Sequence, residues 1–223
     1  MFEAKQLKIK VSEEWGSVSA LLIRPGDAIA LLVLSHGAGA GMEHQFMESL
    51  AQELAGNQVA TLRFNFLYME NGGGPDRPKK AHPTIVAAIK EAKNQAEDLP
   101  VFAGGKSFGG RMTSQVIALG QAEGTNGIVY YGFPLHAPGK PGTERAAHLA
   151  DIQLPQLFLQ GTRDTLAKFE LITEVCGQLK DATLVKVEGG DHSFKHLKKS
   201  GITQEEAIAR LAVETAKFIQ SLN

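Results

Sequence analysis

One stretch limits this chain more than any other: Val101-Phe102-Ala103-Gly104-Gly105-Lys106-Ser107-Phe108-Gly109-Gly110, an apolar run that breaks into Gly-Lys-Ser-Phe-Gly and continues as a helical pattern. A G-x-S-x-G segment between a strand and a helix demands a sharp turn that lifts the serine hydroxyl above the sheet. Gly105 and Gly109 are required there, because strand and helix pass so closely that a Cβ at either place would meet backbone. The helix that follows aims its free first N–H groups and its positive end at the serine, which favours an oxyanion at that point.

Around this stretch, strands alternate with helices. Two short alternating segments, 7–11 and 17–23, read as an antiparallel hairpin at a sheet edge. Residues 28–34 are continuously apolar, the mark of a strand covered on both faces, and end in Ser35-His36-Gly37-Ala38-Gly39. A helix over 44–55, a strand over 59–66 and a polar loop over 68–82 come next, then a helix over 83–95 leading into the central strand. Strands over 127–133, 156–160 and 182–187 are separated by a Pro- and Gly-rich stretch and a helix over 168–179, and a final helix spans 204–222. This order predicts an α/β fold: a mostly parallel central sheet with an antiparallel N-terminal edge, helices on both faces and no inserted lid.

Length and charge narrow the classes. With 223 residues and 43% hydrophobic content the chain can bury one substantial core, so a single domain over 1–223 is expected. Lys and Arg (23) nearly balance Asp and Glu (24), which leaves no field for nucleic acid or a membrane surface. The only cysteine, Cys176, excludes an internal disulfide framework and fits packing in a helix. The polar start, Met1-Phe2-Glu3-Ala4-Lys5, lacks the apolar core of a signal peptide, and no run reaches membrane-span length, so a cytoplasmic protein is expected.

A serine hydroxyl at neutral pH needs a base, an orienter for that base and donors for an oxyanion. In a parallel sheet these come from loops at the C-terminal strand ends, where the turn opens. Of the seven histidines, His192 follows the last strand in a small-residue loop and is the candidate base, while His36 also ends a strand but is followed by glycines that suggest backbone work. Asp164 ends the preceding strand and is the candidate orienter. Its rival, Asp191, adjoins His192 and so cannot easily turn its carboxylate onto that ring. The resulting order is nucleophile, acid, histidine. The backbone N–H of Phe108 and of Ala38, in the glycine loop, are the expected oxyanion donors.

Other motifs yield less. Gly105-Lys106-Ser107 ends like a phosphate loop, but Pro100 stands where its first glycine belongs. Gly37-Ala38-Gly39-Ala40-Gly41 lacks the spacing of a dinucleotide fingerprint and the acid after the next strand. His192 and His196 could share a helix face but have no evident third ligand, so neither a metal nor any other cofactor is expected. Arg77, Lys79 and Lys80 form a basic run at the active edge, read mainly as a solvated loop. Arg111, one turn past Ser107, is expected to brace the site by pairing with a carboxylate or carbonyl.

Taken together, Leu34-Ser35-His36-Gly37-Ala38-Gly39, Arg63-Phe64-Asn65-Phe66, Gly105-Lys106-Ser107-Phe108-Gly109-Gly110-Arg111-Met112 and Asp191-His192-Ser193-Phe194 resemble the α/β-hydrolases, specifically their dienelactone-hydrolase-like group. Within it they look like the branch that includes the testis-expressed and NSL-complex subunit hydrolase-like proteins. The resemblance implies a Ser-His-Asp hydrolase fold, with Ser107 as nucleophile where dienelactone hydrolase itself uses cysteine, so that lactone substrate is not inherited. The expectation is a carboxylesterase-like serine hydrolase acting on a small-molecule substrate with a small or exposed acyl group. The alternative is a binding or scaffold protein that keeps the fold with little chemistry.

Overall fold

The computed structural model describes residues 1–222. A single eight-stranded sheet runs in the order β1-β2-β4-β3-β5-β6-β7-β8. The opening hairpin, β1 (Lys5–Ser12) and β2 (Gly16–Ile23), sits at one edge, and β2 joins the sheet antiparallel to β4 (Val59–Phe64). From there all neighbours are parallel: β3 (Ala30–Ser35), β5 (Val101–Lys106), β6 (Thr125–Tyr131), β7 (Gln156–Gly161) and β8 (Ala182–Val187). β3 reads as a nearly unbroken apolar run because both of its faces are covered. Leu31 and Val33 of β3 enter the core beneath one helical layer, whereas Ala30, Leu32 and Leu34 enter the other. That alternation follows from the two-residue period of a strand.

One face carries α1 (Gln45–Gly56) and α6 (Gln204–Gln220), which pack on each other. The other carries α3 (Pro78–Gln95), α4 (Phe108–Ala118) and α5 (Phe169–Gln178). The start of α6 is set by a capping box in which the Thr203 hydroxyl accepts from Glu206 N–H at 3.1 Å and the Glu206 carboxylate accepts from Thr203 N–H at 2.8 Å.

The region expected as a loop over 68–82 differs. It holds a short helix, α2 (Leu67–Asn71), and α3 begins at Pro78 rather than at Pro83. Pro78 supplies the N-terminal proline, and Pro83 lies inside the helix, where the carbonyl it leaves unbonded belongs to exposed Lys79. Arg77, Lys79 and Lys80 are exposed at that helix start instead of in a loop. Between β6 and β7 the chain makes no domain-sized excursion: a short bridge joins Ala137 to Lys140, and a 3-10 helix covers Glu144–Asp151. No described helix is long and apolar enough to cross a membrane.

Candidate active site

The turn after β5 has the geometry its glycines require. Ser107 sits at φ 50° and ψ −115°, in the left-handed half of conformational space that a side chain enters only under strain. A Cβ at Gly105 would stand 2.3 Å from the Ser35 carbonyl oxygen, and one at Gly109 2.5 Å from that of His36, so only glycine lets β5 and α4 approach β3. Ser107 is the N-cap residue of α4, leaving the N–H of Phe108 without an intrahelical partner.

Four strand ends converge here. His192, on the loop after β8, places Nε2 at 2.8 Å from Ser107 Oγ and Nδ1 at 2.7 Å from Asp164 Oδ2. Since a carboxylate can only accept, Nδ1 carries the proton and Nε2 accepts from the serine hydroxyl. Asp164, after β7, is buried, and both of its oxygens are occupied: Oδ1 accepts from Leu166 N–H at 2.7 Å, and Oδ2 also accepts from Gln160 Nε2 at 2.6 Å. Asp191 does separate work. Its Oδ1 accepts from the N–H groups of Ser193 and Lys195 at 2.8 and 2.9 Å, closing the turn that presents the histidine. Phe194 then anchors the loop, fully buried and stacked on Phe46 at 6.0 Å.

On the opposite side lies the glycine loop after β3. A Cβ at Gly37 would lie 3.8 Å from that of Ser107, so this loop lies against the end of β5, with Ala38 exposed in the same cleft. Among the described residues no hydrogen bond occupies the Ala38 N–H. His36 does hold backbone here: Nδ1–H donates to Gly37 O at 2.8 Å, and Nε2 accepts from Phe66 N–H at 3.1 Å. Burial drives its imidazole down to about 4, against the pull of the Gly37 carbonyl, so it stays neutral.

Two positions within the strands escaped sequence reasoning. Lys106, between Gly105 and Ser107, is buried, and its ammonium donates to the His192 carbonyl at 2.6 Å. Burial lowers it to about 8, opposed by the Asp164 and Asp191 carboxylates. Gln160, fully buried in β7, joins the Phe133 N–H (2.9 Å to its Oε1) to Asp164. A polar side chain in an otherwise apolar strand was the available signal for each. Arg111 departs from expectation more sharply: among the described residues it has neither a side-chain hydrogen bond nor an ion pair. His196 reaches the Glu188 carbonyl (3.0 Å) while His192 serves Ser107 and Asp164, so the two do not converge as ligands.

The serine and imidazole open into a cleft of about 670 Å³ between the glycine loop, the start of α1 and the start of α6. Its walls combine apolar Phe46, Met47, Leu166 and Ile208 with polar Gln45 and Gln204.

A family model described as an alpha/beta hydrolase domain matches residues 28–220. Among solved structures, the chain is similar to a dienelactone hydrolase from Anabaena variabilis, with a TM-score of 0.80 and 16% identity over 99% of this chain and 98% of that one. It is also similar to Est1E from Butyrivibrio proteoclasticus with ferulic acid bound (TM-score 0.72, 17% identity, 93% and 98% covered). A third is an a/b serine hydrolase without lid from Xanthomonas campestris (0.66, 17%, 98% and 93%). At these identities the likeness concerns the fold.

Proposed function

The chain belongs to the alpha/beta hydrolase domain family, and we propose that it is a serine hydrolase of Ser-His-Asp type that cleaves a carboxylic ester through an acyl-enzyme. One observation carries the reading: an unbroken relay from Ser107 Oγ through both nitrogens of His192 to Asp164, with its serine end open to a cleft. In this mechanism Ser107 Oγ forms a bond to the substrate carbonyl carbon as its proton passes to His192 Nε2. Asp164 holds the ring and balances the imidazolium. Charge gathering on the carbonyl oxygen is met by the N–H groups of Phe108 and Ala38 and by the positive end of α4. Collapse breaks the ester bond, and the leaving alcohol takes the proton from His192. Water then attacks the acyl-serine with His192 as base, releasing the acid and restoring Ser107.

The absence of a lid among the described residues and the open cleft support a small or exposed acyl group. Esterase names among the structural neighbours agree with the bond type. The motifs around Ser107 and His192 further support the branch of hydrolase-like proteins that they resemble, and the balanced charge supports a small-molecule substrate.

A fluorophosphonate probe tests the chemistry. Stoichiometric labelling that disappears in Ser107→Ala, with faster turnover of p-nitrophenyl acetate and butyrate than of the palmitate, is the expected result. Folded protein that resists labelling would instead make the fold a binding scaffold.

A further inference from the structure

The elbow helix, α4, meets the 3-10 helix 144–151, and cationic groups gather at that contact. Ser114 Oγ lies 2.7 Å from His148 Nε2, which brings the two elements into register. Arg111 stands three residues before Ser114 and Arg145 three residues before His148, and a three-residue step returns to the same face in either kind of helix. Both arginines therefore share the contacting faces with Ser114 and His148, and after burial the charge of Arg145 helps lower Arg111. Burial likewise lowers His148, with Arg111 and His82 adding to the effect and Asp151 opposing it. His82 arrives from α3 and is tied to Gln115 at 3.1 Å. Among the described residues, neither arginine has a carboxylate partner or a side-chain hydrogen bond.

Like charges held together at half-buried positions cost free energy unless something between them compensates, and no side chain does so here. A planar fork of donors on each side matches the oxygens of a carboxylate or phosphate. We propose that Arg111 and Arg145, with His148 beside them, form a binding site for an oxyanion. Arg111 lies one turn past Ser107, its backbone N–H donating to the Ser107 carbonyl at 3.0 Å. The site thus suits either an anionic group on the substrate or a free anion bound beside the reaction. The first of these sources rests on the esterase reading, whereas anion binding itself does not.

Titration of inorganic phosphate into the full chain at low ionic strength, followed by calorimetry, tests the site without turnover. Saturable binding at one site is expected, weakened at least tenfold in both Arg111→Gln and Arg145→Gln, each checked for folding by circular dichroism, and partly restored in Arg111→Lys. No saturable binding, or equal binding in parent and both variants, would overturn the proposal. Mono-p-nitrophenyl succinate compared with p-nitrophenyl butyrate then separates the sources. A KM that rises at least tenfold more for the succinate in Arg111→Gln assigns the anion to the substrate. Equal responses alongside intact phosphate binding by the parent assign it to a free anion. Failure of the esterase reading would leave both esters unturned while the phosphate titration still reports on the site.

Discussion

Replacing Asp164 by asparagine tests the relay at its least adaptable joint. Both carboxylate oxygens accept: Oδ1 from Leu166 N–H, Oδ2 from Gln160 Nε2 and His192 Nδ1. An amide has one oxygen, so no orientation serves all three donors. With that oxygen toward Leu166, the NH2 faces Gln160 and His192, which drives the proton to Nε2 and leaves Ser107 without a base. With it toward His192, the Leu166 N–H loses its acceptor, and the counter-charge for the imidazolium is gone in either case. Gln160 cannot simply rotate to compensate, because its oxygen holds the Phe133 N–H at 2.9 Å. Orphaning a buried donor costs about 1–3 kcal/mol of stability. An inverted tautomer lowers kcat by roughly 10⁴-fold, or ~5 kcal/mol of barrier. Turnover of p-nitrophenyl acetate, with urea denaturation in parallel, reads both numbers. A variant that keeps more than a tenth of the parental kcat would refute the assignment of Asp164.

Lys106→Met should lose at least tenfold in kcat, since the histidine loop loses its tie, yet change stability by only about 1 kcal/mol. The burial that lowers this ammonium from 10.5 to about 8 costs ~3 kcal/mol at neutral pH, which offsets a charged hydrogen bond of about 1.5–3 kcal/mol. A loss of stability well beyond this in thermal melts would contradict it. His36 titrates near 6.5 when unfolded and at about 4 when folded, so between those values the unfolded chain binds more protons. Its contribution is complete above about pH 6.5 and falls away toward pH 4, amounting to ~3 kcal/mol, and His36→Gln should lack that part of the slope in urea titrations. Gly109→Ala should cost about 3 kcal/mol or more and collapse the site, because the new methyl would meet the His36 and Ser35 carbonyl oxygens at 2.5 and 2.6 Å, and backbone cannot step aside. A soluble variant with parental melting temperature would count against the close approach of α4 to β3.

Local chemistry explains what could be read in advance. The run from Val101 to Gly110 states its own geometry within ten residues, since apolar residues make the strand and paired glycines permit the turn. The same holds for the alternation of strands and helices that sets a parallel sheet and sends its loops to one edge. Pro83 misled because a proline is compatible with both the start and the sixth position of a helix, and only the packing of α3 against the sheet distinguishes them. Residues 198–200 and 144–151 form 3-10 turns with no sequence periodicity strong enough to announce them.

The sequence by itself determined that a strained serine, a glycine loop and the acid and histidine candidates would stand at neighbouring strand ends, because each is specified by residues close to it in the chain. Only the tertiary structure decided that His192 takes Asp164 and not Asp191, that Lys106 and Gln160 join its support, and that Arg111 meets a second arginine in place of a carboxylate. His192 with Asp164, Phe133 with Gln160, and Lys106 with His192 are contacts between residues 28, 27 and 86 positions apart, and Arg111 and Arg145 are 34 apart, all brought together by strand order and loop packing. No local pattern encodes distances of that kind.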